Sequence, residues 1–234
     1  MSELSKRWFS LTGLIIGSIT PDFEYFIRMR VKSVYSHTLP GLFWFDVPLG
    51  ILLTFVYLAF IRDGLIAHLP SRFNRRFSKY GGIPVKKTLA YTAPIVLSVL
   101  IGAASHLLWD AFTHPHGYFV QLMPILSIGV HAGGHYIYVY KLLQHGSTLV
   151  GLAFIAYLVY KLPKEKQTKV VHIRWYWVTI LIIVVLTIIA RFLGGVTLKA
   201  YGNLIVTGIS GFLIGLIISS FFILVAQKGQ KTMS

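Results

Sequence analysis

The stretch from Leu204 to Ala226 contains no charged residue, and Trp175 to Leu193 contains a single one, Arg191. Roughly 20 consecutive apolar residues cross the hydrocarbon of a bilayer as a helix, so these two runs commit the chain to a membrane. Further apolar runs lie at 8–27, 42–61, 88–109 and 136–160, ahead of those at 175–193 and 203–226. Together they predict an all-α, polytopic transmembrane helical bundle of about six spans, forming one integral-membrane domain over 1–234. In the fourth run, Tyr136–Gln144 is expected to extend the helix above the hydrocarbon. Pro21, Asp22 and Glu24 interrupt the first run, which reads as a short or partly buried helix. Lys6 and Arg7 precede it as in a signal peptide, but Pro21 spoils the cleavage region, so the run is expected to be retained. Only 12% of the residues are charged, against roughly 25% in soluble domains, which leaves little chain for a separate soluble domain.

Lys and Arg number 22 against seven acids, a net charge of +15. In a soluble protein that excess would suggest a nucleic-acid partner. Six spans with both termini inside put sixteen basic residues in cytoplasmic segments and six outside, the latter being Arg28, Arg30, Lys32, Lys141, Arg191 and Lys199. Such a bias orients membrane proteins, so the charge sets topology and no nucleic-acid partner is expected. With no cysteine, a metal would have to be held by His, Asp or Glu. In the last span Gly208, Gly211, Gly215 and Ser219 make a small-residue face, suited to close packing within the bundle or to a homo-oligomer through Gly211 and Gly215.

Asp22, Glu24, Asp46 and Asp110 lie in or beside apolar segments, where an ionised carboxylate needs a partner or water. Seven of nine histidines map to the same, outer side: His37, His106, His114, His116, His131, His135 and His145. His68 and His172 fall on the other side and read as ordinary loop or interface residues. His106 and Asp110 are four apart, which stacks them on one helix face where they can share a metal ion. Pro115 biases His114 away from helical geometry, so His114 or His116 can fold back over the same point. Asp22, after the helix-breaking Pro21, is a further ligand candidate, as is His37 in Ser36-His37-Thr38. Asp46 reads as a carboxylate that orients a ligating imidazole. His145, one turn after Lys141, is a candidate ligand, while Gly133 and Gly134 make the His131–His135 segment a flexible lid. Imidazole and carboxylate together suit zinc, and also manganese or iron.

Four ordered motifs carry a resemblance over most of the chain: Gly-Ser-x-x-Pro-Asp-Phe-Glu-Tyr-Phe from Gly17, Ser-His-Thr-Leu-Pro-Gly from Ser36, Ser-His-Leu-Leu-Trp-Asp-x-Phe-Thr-His from Ser105, and Tyr-Lys-Leu-Leu-Gln-His-Gly-Ser from Tyr140. The chain resembles a bacterial membrane family known as domain of unknown function 4184, itself similar to the YdjM-like inner-membrane metal-dependent hydrolases. A more distant resemblance is to the zinc-dependent phospholipase C and single-strand nuclease fold. It implies metal ligation by Asp22, His37, His106, Asp110 and His116, whereas Leu149 stands four residues after His145 where that fold has an aspartate. One or two ions are therefore expected rather than three.

These readings converge on a phosphoesterase at the outer face of the cell membrane. A metal-activated water would attack phosphorus, with Glu24 or His114 as general base. Arg28, Arg30, Lys32 and Lys141 would meet phosphate, and the substrate would be a lipid or lipid-linked phosphate. The alternatives are a transporter or proton pathway using the same carboxylates and histidines, and a metal-binding membrane protein without catalysis.

Overall fold

The computed structural model describes residues 9–85, 92–166, 173–197 and 199–231. Lys6, Arg7, His172 and the first residues of the run at 88–109 lie outside the described residues. Among the described residues, five helices are long and apolar enough to cross a membrane: Leu39–His68, Thr92–Leu122, Val139–Lys161, Ile173–Leu193 and Tyr201–Val225.

The first apolar run does not become a sixth. Helix α1 is Leu11–Ile19, with the Ser10 hydroxyl accepting from the Gly13 amide at 3.1 Å. Pro21 then forces a tighter turn over Thr20–Asp22 before α2, Phe23–Arg28, because proline cannot supply the next helical N–H. Helix α2 ends on Met29 in the left-handed conformation, φ 48°.

Span α3, Leu39–His68, contains two π-helical turns, Leu42–Asp46 and Tyr57–Ile61. The first directly precedes Val47 and Pro48, whose missing N–H such a widened turn absorbs. The helix runs past both ends of the expected 42–61, so the segment from Arg62 to His68 is helix rather than loop. A short α4, Ser71–Phe77, comes next.

The next helix is α5, Thr92–Thr113. It lies parallel to α1 with backbones in contact: a Cβ on Gly17 would overlap the Val99 carbonyl oxygen, and one on Gly102 the Leu14 carbonyl oxygen. Glycine is required there because nothing larger fits between the two chains. After a bend at His114–Gly117 come α6, Tyr118–Leu122, and a β-hairpin of β1, Gly129–Ala132, with β2, His135–Tyr138. The pair is antiparallel, with Val130 opposite Ile137 and Ala132 opposite His135. Its turn uses Gly133 and Gly134 at φ 57° and 80°, the two positive φ values that a two-residue hairpin demands. Residues 136–138 are therefore strand, and the expected flexible lid is an ordered hairpin. Span α7, Val139–Lys161, begins directly after it.

Helices α8, Ile173–Leu193, and α9, Tyr201–Lys231, form a close pair. Cβ atoms on Gly211 and Gly215 would come within 2.9 Å of the Val184 Cα and 3.1 Å of the Ile180 Cα, while Gly208 faces open space, so α8 of the same chain packs on the Gly211 and Gly215 part of the small-residue face. At one end Ile61, Tyr176, Ile180 and Leu216 make an apolar cluster, where His68 is buried, stacked 4.6 Å from Tyr176. Buried hydroxyls of Thr20, Thr54 and Thr207 each donate to the carbonyl four residues back, at 2.7 Å, which meets their needs in a medium without water. At the other end α9 grips α2: Ser210 Oγ donates to the Phe26 carbonyl at 2.7 Å, and Asn203 Oδ1 accepts from the Val31 amide at 2.9 Å.

Candidate metal centre

Two carboxylates and two imidazoles converge where the turn after α1, the 29–38 loop and the last turns of α5 meet. Asp22 comes from the turn made by Pro21, while His106 and Asp110 stand one above the other on α5. His37 comes from the loop, held at φ 58°, an uncommon backbone for a non-glycine residue and one often found at functional sites.

Asp22, His37 and His106 each offer a ligand atom within 4.8 Å of the others. His37 Nε2 is 3.5 Å from Asp22 Oδ1 and 3.4 Å from Asp110 Oδ2. His106 Nε2 is 3.7 Å from Asp22 Oδ1 and 3.3 Å from Asp110 Oδ2. Ligands about 2.1 Å from a tetrahedral zinc are about 3.4 Å apart, so these four separations match the edges of a coordination shell.

The backbone fixes one tautomer. His106 Nδ1 lies 2.7 Å from the Ser18 carbonyl, which can only accept, so Nδ1 carries the proton and Nε2 of the neutral ring presents a lone pair. That Nε2 is buried and makes no hydrogen bond despite its nearness to Asp110. A lone pair facing a carboxylate is unfavourable unless a proton or a metal ion stands between them, and the four ligand atoms around this point give a metal ion its shell. At His37 the Nδ1 is met by Ser36 Oγ at 3.0 Å and the ring stacks on Tyr25 at 5.3 Å. Burial works against a charged His37 ring, but Asp110 and Asp22 outweigh it and hold its pKa at about 9. The pocket's field thus favours positive charge.

Glu24 is a structural anchor rather than a free base. It is 2% exposed, and its carboxylate accepts from the amides of Val34, Tyr35 and Ser36 at 2.8 to 2.9 Å. It also accepts from Ser33 Oγ at 3.3 Å and Arg28 Nη2 at 2.7 Å. Burial would raise the Glu24 pKa, yet the three backbone amides and Arg28 bring it down to about 2. With both oxygens saturated, Glu24 fixes the loop that presents His37. Arg28 is committed to it, and its guanidinium lies 5.4 Å from the Tyr35 ring centre. Arg30 and Lys32 are exposed on the same loop, whereas Lys141 Nζ donates to Gln144 Oε1 at 2.8 Å.

Asp46 is fully buried and neither oxygen has a hydrogen-bond partner. It does not orient an imidazole, since both Nδ1 atoms are met by Ser18 and Ser36. His114, half-exposed, puts Nδ1 3.4 Å from Asp110 Oδ1, so it, rather than His116, comes back to the centre. His116 and His145 are exposed and stand outside the converging group, because the bend after Thr113 turns His116 outward and α7 begins beyond the hairpin. Sequence reasoning missed the Ser18 carbonyl, a backbone group with no signal in a side-chain pattern, and Tyr25.

Fold and centre define a polytopic helical membrane protein with a partly buried His/Asp site able to hold a metal ion. The family model described as Domain of unknown function (DUF4184) matches residues 1–221, and the chain belongs to that family. No curated protein and no solved structure matches it, so the YdjM-like and phospholipase C resemblances gain no support from those comparisons.

Proposed function

We propose that the protein is a membrane-embedded, metal-dependent hydrolase, a phosphoesterase that acts on a lipid or lipid-linked phosphate at the extracytoplasmic face of the cell membrane. The observation that carries this is the shell formed by Asp22, His37, His106 and Asp110, with ligand separations of 3.3 to 3.7 Å and an orphaned His106 Nε2. The donor set suits zinc best. A bound zinc ion supplies Lewis acidity, bringing the pKa of water toward about 7 and offsetting charge on phosphoryl oxygens. The chain's own part is to orient both imidazoles through Ser18 and Ser36, and to offer His114 as proton acceptor beside Asp110. Water oxygen bonds to phosphorus, its proton passes to His114, and the ester P–O bond breaks with the proton delivered to the leaving alkoxide. Arg30 and Lys32 are the uncommitted cations on the loop nearest the centre. The excess of basic residues at the opposite end of the spans supports an extracytoplasmic site.

The test is elemental analysis of the purified protein together with hydrolysis of phosphate esters. Near-stoichiometric zinc that is lost in His106→Ala and Asp110→Ala, with loss of hydrolysis, supports the reading; full metal content in both variants overturns it. One observation favours a second reading, a proton or ion pathway: Asp46, fully buried within a span without a partner, is the kind of carboxylate that relays protons. Under that reading the metal-replete protein holds no zinc, and Asp46→Asn abolishes proton flux in vesicles.

A further inference from the structure

The connection between α5 and α7 is unlike a solvated loop. From Gly117 to Tyr140 there is no Asp, Glu, Lys or Arg. The segment is nevertheless ordered, as α6, a 3-10 turn at Pro124–Ser127 and the β1–β2 hairpin. It has a small core of its own in Val120, Leu126 and Tyr140, with Phe112 and Phe119 stacked 4.1 Å apart against it. Its outer surface is apolar and aromatic: Tyr118, Leu122, Ile125, Ile128 and Tyr136 are each more than half exposed. In water such a continuous patch would be a liability.

The geometry of the flanking helices fixes its depth. Helix α5 has 22 residues, about 33 Å at 1.5 Å each, enough to cross the roughly 30 Å hydrocarbon by itself. The chain beyond Thr113 therefore emerges at the membrane boundary. Span α7 re-enters at Val139, so the cap starts and finishes at one face. An uncharged segment with tyrosines and large aliphatic side chains, pinned at that level, has the composition of elements that lie in the headgroup and upper acyl region.

We propose that residues 118–138 form a cap immersed in the lipid leaflet at the end of the bundle that holds the His/Asp centre. The partner of its exposed face is the headgroup–acyl boundary of the membrane the chain itself spans. The cap covers the centre, which lies one or two helical turns below on α5, just inside that boundary. This inference needs only the spanning helices and stands whether or not the centre is hydrolytic.

The chain has no cysteine, so single cysteines can be labelled cleanly. Ile125→Cys and Ile128→Cys would carry an environment-sensitive dye, with Lys164→Cys, at the opposite end, as the aqueous control. The proteins are reconstituted in vesicles of phosphatidylcholine and phosphatidylglycerol. Dye at 125 and 128 is expected to emit to the blue of dye at 164. It should be quenched several-fold more by lipids bearing a nitroxide near the headgroup than by aqueous iodide. Iodide quenching equal to that at 164 overturns the proposal. So does a blue emission that disappears when the protein is diluted to one copy per vesicle, which would put a second chain on the face. Tyr136→Cys, on the hairpin, gives an independent reading should either isoleucine variant fold poorly.

Discussion

Replacing Glu24 with glutamine separates a structural anchor from a catalytic base. The carboxylate uses Oε2 for the amides of Tyr35 and Ser36, and Oε1 for the Val34 amide and Arg28. A glutamine has one acceptor oxygen, so in either orientation its NH2 faces at least one backbone N–H that then has no partner. If the oxygen takes the Oε2 place, the Val34 amide is orphaned and the guanidinium meets a donor. A buried unsatisfied amide costs about 1–3 kcal/mol, and a hydrogen bond to a charged group contributes about 1.5–3 kcal/mol. Arg28 is 34% exposed and Val34 48%, so water recovers part of both shares, leaving roughly 2 kcal/mol for Glu24→Gln. Because the same carboxylate shapes the loop that holds His37 at φ 58°, part of that loss should appear as weaker metal retention. Thermal unfolding in detergent, with metal analysis before and after a chelator challenge, measures both effects. A catalytic base predicts otherwise: a normal melting temperature, full metal and no turnover. That pattern would refute the anchoring role.

Ser36→Ala removes the hydroxyl that meets His37 Nδ1 at 3.0 Å and should weaken metal binding about 10- to 100-fold, the usual loss when an orienting partner of a ligand is deleted; competition with a metal-sensitive dye measures it. His116→Ala and His145→Ala, outside the converging group, should leave metal stoichiometry unchanged, and loss of metal in either would mean that the centre is wider than Asp22, His37, His106 and Asp110. Gly102→Leu, whose Cβ would overlap the Leu14 carbonyl, should cost about 3 kcal/mol or more by forcing α1 from α5, seen as loss of folded protein on size exclusion. Chelator treatment at neutral pH should remove the ion without unfolding the bundle, since apolar packing rather than the centre holds the spans; collapse of helical circular dichroism on chelation would contradict this.

Membrane class and most span positions were legible because they depend on local composition: a helix in hydrocarbon satisfies its own backbone, and its sequence must be apolar along its length. The expected 175–193 became Ile173–Leu193 and the expected 203–226 lies within Tyr201–Lys231. The first run misled because its apolar content is that of a span, while Pro21 and three charged residues down to Arg28 break it. Residues 136–138 misled because alternating tyrosines beside a helical stretch read equally as its first turn; pairing with residues 129–131 decides for strand.

In the centre, the His106–Asp110 pair followed from helical spacing alone, since residues four apart share a face wherever the helix goes. Spacing could not choose between His114 and His116, which depends on how the chain bends after Thr113. Nor could it show that Glu24 spends its charge on three backbone amides, or that Ser18 sets the His106 tautomer. The sequence by itself determined that this is a helical membrane protein with imidazoles and carboxylates gathered toward one end of its spans. Only the tertiary structure decided which of them meet, because ligand separations of 3.3 to 3.7 Å arise from contacts among segments far apart in the chain, closed by glycine-to-backbone packing of α1 on α5.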